Sequence, residues 1–315
     1  MKKGSRKAAM KASTRPGPGE LEQLAGATWQ VRPIGVIRSR AKDRKQLPPL
    51  GLPATIELFA AYEPGLLHLE KHTHLWVLVW LHASQRDLLQ VVPRGVREEE
   101  PDALHGVFAV RSPVRPNPIG LTVTRMERIE GRRIHVARLD FVDGTPVLDL
   151  KPYFVNRDLV FSASNMQIGR PASRENLRAS LLEQAINFHG ECCAELAVAV
   201  RVMEHFRWEV LHGRDPVPAA LKHGAAQSLA GCPRQVSLRV RAPWKRGCLL
   251  DGLIGMTRVS PGRGTLELLE GDRVVFEYEG VQWLYELRPQ ETADAGAILA
   301  AADEALFAWR RLLGP

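Results

Sequence analysis

The chain has only four cysteines in 315 residues, Cys192, Cys193, Cys232 and Cys248, too few for a disulfide scaffold at this length. No run approaches the ~20 apolar residues of a membrane helix. The positively charged start is not followed by the apolar stretch that a secretory signal requires. A cytoplasmic location without a membrane partner is the simplest expectation. Acid is missing from the first nineteen residues, while six of the first fifteen are Lys or Arg and Pro16 to Gly19 form a Pro-Gly-Pro-Gly breaker. Residues 1–28 therefore read as a basic, disordered arm that adds sequence-independent attraction to phosphates. No Gly-x-Gly-x-x-Gly follows a strand, which speaks against Rossmann-type binding of a nucleotide cofactor.

A net charge of +8 and a pI near 9.6 suggest an anionic partner, most commonly nucleic acid. With 45% hydrophobic and 25% charged residues, the composition is that of an ordinary soluble globular protein. Its length favours two domains.

Residues 29–156 have period two and read as a mainly β domain, a small closed or nearly closed barrel. "TIELF" and "GVFAV" read as strands. "HLWVLVWLH" (His74 to His82) is apolar on both faces, as a central, doubly covered strand would be. "IGLTVTRM" alternates, and Glu130-Gly131 turns it into "RRIHVARLDFV". Residues 172–315 read as an α+β domain. Ser173 caps a helix that aligns Leu177, Leu181, Leu182 and Ala185; Gly190 interrupts it, and a second helix begins near Cys192. The strands "VSLRV", "TLELL", "RVVFEY" and "QWLYELR" follow. A last helix is expected from about Thr292 to Leu313, burying Ile298, Leu299, Ala302, Leu306, Trp309 and Leu313.

"GVFAVRSPVRPNPIG" sets Arg111, Ser112, Arg115 and Asn117 among Pro113, Pro116 and Pro118. Each proline fixes its own φ and biases the residue before it. The loop is therefore stiff before anything binds, which lowers the ordering cost of binding. Two arginines on such a loop suit an anion or carboxylate clamp, although a solvated, proline-rich connection is the simpler reading of spacing alone. "LDFVDGTPVLDLKPYF" follows, with Asp140, Asp143, Asp149, Lys151 and Tyr153 close together. Carboxylates at such turns commonly cap their own backbone.

Taken in order, "IGVIRS", "HTHLWVLVWLH", "GVFAVRSPVRPNPIG" and "LDFVDGTPVLDLKPY" resemble the TsaA-like family, the TrmO-type tRNA methyltransferases. The resemblance covers Val31 to Tyr153. It implies a β-barrel enzyme, a homodimer, that binds S-adenosylmethionine and methylates the exocyclic nitrogen of threonylcarbamoyladenosine at position 37 of tRNA, beside the anticodon. It also implies a cofactor site formed by Leu50, Gly51, His82, Arg111, Ser112, Arg115, Asn117, Leu121, Leu139, Asp140, Phe141 and Val142. Arg111 or Arg115 would pair the methionine carboxylate or a tRNA phosphate, and Asn117 the ribose or adenine. For catalysis the candidates are Asp143, Asp149 and Tyr153 as bases, with Lys151 orienting a phosphate or carboxylate. His74 reads as a satisfied core histidine. The chain departs from the family pattern after His82, where Ala83 replaces the usual glutamine.

In the second half, "INFHGECCAEL" and "RGCLLDGLIGMTRVSPGRGTLEL" resemble FmdE-like domains. That implies a zinc-like site of His189, Cys193 and Cys248, next to Asp251 and with Glu191 in place of a second histidine. Buried reduced thiols are the simpler reading. "RVRAPWKR" offers Trp244 for stacking on RNA, or is a solvated strand edge. Two other readings of the chain remain open: a non-catalytic module that binds cofactor or RNA, and a metal-binding redox accessory protein acting through residues 172–315.

Overall fold

The computed structural model describes residues 27–48, 50–99, 103–161, 163, 167–214, 238–290 and 293–312. Nearly all of the basic arm, Cys232, the start of "VSLRV" and the two ends of the expected last helix lie outside them.

Six strands close a barrel: β1 (Gly35–Arg38), β2 (Leu52–Leu58), β3 (His74–Trp80), β6 (Ile119–Glu130), β7 (Arg133–Leu139) and β8 (Pro146–Pro152), in the cyclic order β1-β2-β7-β6-β3-β8. A separate two-stranded ribbon pairs β4 (Gln90–Val91) with β5 (His105–Gly106). Alternation explains the barrel. Leu75, Val77 and Val79 of β3 are fully buried and meet Ile37, Ile56, Ile134, Val136 and Val147 from the neighbouring strands. Gly131, at φ +56°, makes the β6–β7 turn, as the Glu130-Gly131 pair suggested. Register shifts between Leu52 and Ala54, between Leu78 and Val79, and between Met126 and Arg128 mark bulges, which supply the bending that closure needs.

Strand β3 is central, pairing β6 on one side and β8 on the other. Only one of its faces is fully buried, because Trp76, Leu78 and Trp80 point outward and stay partly exposed. This corrects the doubly covered strand expected from its composition.

The second half is α+β. Helix α2 (Arg174–His189) and helix α3 (Ala194–His205) both pack on α4 (Gly247–Thr257). A five-stranded sheet has the order β10-β9-β11-β12-β13, with β9 at Leu238–Pro243, β10 at Leu266–Leu269, β11 at Arg273–Tyr278, β12 at Val281–Leu287 and β13 at Phe307–Leu312. The core joins Leu177, Leu181 and Ala185 to Leu196, Phe206, Phe276 and Tyr285. Ser173 accepts from the Asn176 amide at the start of α2, and Gly190 (φ +101°) ends it. A four-residue helix, α1 (Val155–Asp158), follows the barrel.

The expected last helix is broken. It becomes α5 (Ala295–Ala300), α6 (Asp303–Leu306) and the edge strand β13. Arg201 donates to the carbonyl oxygens of Leu299 at 2.9 Å and Ala301 at 2.5 Å, and Arg178 donates to Leu299 at 2.8 Å. Those carbonyls would otherwise accept from residues four further on. Glu204, fully buried, holds Arg174 and Arg178 in turn. Among the described residues no helix is long and apolar enough to cross a membrane.

Candidate active site

The proline loop enters the barrel at β6, beside the exit of β3. The Leu81 amide donates to the Pro118 oxygen at 2.7 Å. At buried Gly120, a Cβ would lie 2.7 Å from Val79 Cγ2, 3.0 Å from Phe141 Cε1 and 3.2 Å from Leu81 Cδ2. Strand exit, loop and the 139–142 segment therefore converge. A fourth segment closes on them: Gly51 has φ +80°, and a Cβ there would come within 2.4 Å of the Leu139 carbonyl carbon. A cavity of about 110 Å³ opens at this point, lined by Leu50, Thr122, Arg138, Leu139, Asp140 and Glu183.

Asp140 is exposed as a residue, yet desolvation at its carboxyl raises its pKa above the ordinary aspartate value. Its own backbone amide and the charge of Arg111 pull it part of the way back. The Arg111–Asp140 interaction again places the proline loop beside β7.

Arg115, a candidate clamp, bonds within its own loop. Its Nε donates to the Ser112 oxygen at 2.9 Å, and one Nη donates to the oxygens of Val107 at 2.7 Å and Val110 at 2.6 Å. The guanidinium is a brace inside the loop. It also explains why "GVFAV" is no strand: β5 ends at Gly106, and two carbonyls that a ladder would use are turned toward Arg115. Ser112 Oγ accepts from the Val114 amide at 3.2 Å, and the Asn117 oxygen accepts from the Ile119 amide at 2.7 Å. Arg111, Asn117 and His82 are exposed. Phe141 and Leu139 are buried, Val142 is half-buried, and Leu121 is exposed on the outer face of β6.

The candidate bases do not gather in one place. Asp143 lies in the β7–β8 turn, accepting from the Ser39 amide at 3.0 Å and from Lys42 Nζ at 2.6 Å. The Lys42 hydrogen bond, then that of the Ser39 amide, holds its pKa below the ordinary value. Asp149 accepts from the Leu150 amide at 2.9 Å and pairs with Lys151 at 2.7 Å. Lys151 is opposite Trp76, and the Tyr153 amide bonds the His74 oxygen. Tyr153 thus stands at the His74 end of β3, roughly 20 Å along the strand from Trp80 at ~3.3 Å per residue. Within one chain Tyr153 therefore lies at the opposite end of β3 from the proline loop. His74 is satisfied by Thr73 Oγ1 at 2.9 Å; burial, then Arg125, lowers its pKa.

Arg138 and Glu183 line the cavity although no motif pointed to them. They form an ion pair across the two halves. Thr124 Oγ1 donates to the Arg138 oxygen at 2.7 Å and fixes the strand there. The partners lie 45 residues apart, in a strand and a helix, so only the fold relates them.

A second cluster occupies the C-terminal half. Donor atoms of His189, Cys193 and Cys248 lie within 4.8 Å of one another. His189 ends α2, Cys193 caps α3 and Cys248 sits in the first turn of α4. Asp251 Oδ2 is 2.9 Å from His189 Nδ1, and Nε2 is 3.6 Å from Cys193 Sγ. Burial, followed by the Cys193 contact, raises the Cys248 pKa.

Residues 36–159 match the model of the tRNA-methyltransferase O N-terminal domain. A probable S-adenosyl-L-methionine-binding protein of Archaeoglobus fulgidus is 42% identical over 179 residues, which cover 55% of this chain and 47% of that one, so this chain spans about half of that relative. An S-adenosyl-L-methionine-binding protein of the same organism is 40% identical over 141 residues, covering 44% of this chain and 98% of that one. A tRNA (adenine(37)-N6)-methyltransferase of Mus musculus is 33% identical over 144 residues, 46% of this chain and 31% of that one. Through its barrel half, this chain belongs to the tRNA-methyltransferase O family.

Proposed function

We propose that the chain is an S-adenosylmethionine-dependent tRNA methyltransferase, cytoplasmic and homodimeric, whose acceptor is the exocyclic nitrogen of threonylcarbamoyladenosine at position 37. The observation that carries this reading is the convergence of Gly51, the end of β3, the proline loop and the 139–142 segment on one cleft within the family-matched domain.

The residues present suit the methyl donor. Gly51 leaves backbone rather than side chain facing Leu139 and Asp140. Arg111 is exposed and offers a fork to the methionine carboxylate, Asn117 and His82 are exposed beside it, and Leu139 gives the cavity an apolar wall. The bound donor supplies an electrophilic methyl carbon.

The acceptor nitrogen is urea-like and a poor nucleophile, so positioning in the cleft supplies much of the acceleration. Its proton goes to a base. Two carboxylates line this cleft: Glu183 is paired with Arg138, whereas Asp140 has its proton affinity raised by desolvation. Asp143 and Asp149 are already engaged by lysines, and we place Asp140 as acceptor ahead of them and of Tyr153.

Calorimetry with S-adenosylmethionine, then mass spectrometry of nucleosides from tRNA incubated with the protein, tests the reading. A methylated threonylcarbamoyladenosine is the expected product; donor binding without any tRNA product leaves only a binding module. Light scattering tests the dimer, which would cover Ile119 and Leu121, exposed on the outside of β6.

A second reading concerns the other half. The three donors His189, Cys193 and Cys248 suit a zinc-class cation, with Asp251 fixing the histidine tautomer. Stoichiometric zinc in purified protein, lost in Cys248→Ser, is the expected result.

A further inference from the structure

A second cavity shares no lining residue with the methyl-transfer cleft. It holds about 960 Å³ and is lined by residues 95–97 and 99 of the barrel half and by Arg170, Pro171, Trp208 and His212 after it. Its size is at the upper end of ordinary ligand pockets.

The walls are tied to each other. The Arg170 amide donates to the Gly95 oxygen at 3.1 Å, and Gln167 Nε2 donates to the Gly213 oxygen at 3.0 Å. Gly95 (φ +85°) and Gly169 (φ +69°) approach so closely that a Cβ on Gly169 would lie 2.7 Å from the Gly95 carbonyl carbon. The cavity is thus built into the backbone.

Its chemistry is basic and aromatic. Arg97 and Arg170 are exposed, and neither has an ion-pair partner among the described residues. Glu99 is the one acid among the lining residues. Trp208 is half-buried, packed on one side against the C-terminal core, and sits in the π-helical turn Phe206–Val210, a geometry frequent at functional sites. His212 holds φ +52° without being glycine, a conformation that persists where surroundings enforce it.

An aromatic side chain and guanidinium groups lining one preformed pocket are the elements with which proteins hold single-stranded nucleic acid without reading its sequence. We infer that this cavity binds an unpaired nucleotide of the RNA substrate, its base on Trp208 and its flanking phosphates at Arg97 and Arg170. The inference rests on the tRNA reading above. On it, the seam between the two halves holds RNA while the barrel carries the methyl donor.

The test measures binding of an unmodified tRNA anticodon stem-loop to the full chain and to Arg97→Glu and Arg170→Glu, with S-adenosylmethionine affinity as the control for folding. Each reversal is expected to weaken RNA binding by about tenfold or more, to flatten the salt dependence by about 0.7 in log–log slope per lost phosphate contact, and to leave donor affinity unchanged. Trp208→Phe is expected to lose most of the fluorescence quenching that RNA causes. Unchanged RNA affinity in both reversals would overturn the inference while the tRNA reading stands. If the unmutated chain binds no RNA, the tRNA reading itself falls. Adenosine monophosphate bound as tightly as the stem-loop would mean that the cavity is a small-nucleotide site, and would also overturn it.

Discussion

Gly51 lies on Leu139 with no room between them: a Cβ at position 51 would stand 2.4 Å from the Leu139 carbonyl carbon and 2.8 Å from the Asp140 amide, at a φ of +80°. An alanine there carries the left-handed penalty, about 1–2 kcal/mol, and a backbone clash that no flexible side chain can relieve. Gly51→Ala is expected to lower stability by at least that amount and to push residues 50–51 off β7, weakening S-adenosylmethionine binding at least about tenfold. Urea unfolding and calorimetry check the two effects separately. Normal donor affinity in Gly51→Ala would remove this wall from the site.

Asp140 offers a pH test. Its pKa is raised in the folded chain, chiefly by desolvation, so the folded state holds the proton more tightly than the unfolded state. The stability this group contributes is full below its unfolded pKa and is lost as pH rises through the folded value. At neutral pH, Asp140→Asn is therefore expected to be as stable as the parent or more so, with a flatter dependence of melting temperature on mildly acidic pH. Methyl transfer should fall at least about tenfold, and the parent rate should climb with pH across the Asp140 titration. A variant that is both less stable and fully active contradicts both roles.

Arg115 separates a brace from a binder. It bonds the carbonyls of Ser112, Val107 and Val110, whereas Arg111 is exposed and interacts with the Asp140 charge. Hydrogen bonds from charged groups contribute ~1.5–3 kcal/mol each and are not additive, so Arg115→Ala is expected to cost about 2–3 kcal/mol. Arg115→Lys keeps the charge but not the fork, and should restore less than half of that. Arg111→Ala should leave stability near that of the parent while weakening donor binding. Chemical denaturation with parallel calorimetry reads the contrast; equal stability losses in the two alanine variants would refute it.

The barrel was legible because period two survives wherever one face of a strand is buried: Leu75, Val77 and Val79 show it directly. Helix α2 was legible from its cap at Ser173 and its stop at Gly190. The failures share one cause. Val107 to Val110 look like a strand, and residues 292–313 look like a helix, until an arginine from elsewhere takes their carbonyls: Arg115 in the first case, Arg201 and Arg178 in the second. Sequence period reports which face is apolar; it does not report a competing donor. The same blindness hid the cleft's inter-half pair, Arg138 and Glu183, and the bonds of Arg115 inside its own loop.

The cluster at His189 yields the last prediction. Asp251 touches Nδ1, which directs Nε2 toward the thiols of Cys193 and, beyond it, Cys248. If these three residues hold zinc, Asp251 is no ligand but sets the tautomer, and partners of this kind are worth about 10–100-fold in metal affinity. Asp251→Asn is expected to keep one zinc per chain at saturation but to release it to a competing chelator at about 10–100-fold lower chelator strength. Cys248→Ser should fail to reach one per chain. Zinc stripping should lower the melting temperature of the parent, since the ligands come from the ends of α2, α3 and α4, and should leave Cys248→Ser unmoved. If Asp251→Asn and the parent release zinc identically, the tautomer argument is wrong. If neither binds it, the cluster is a set of reduced thiols beside a hydrogen-bonded histidine.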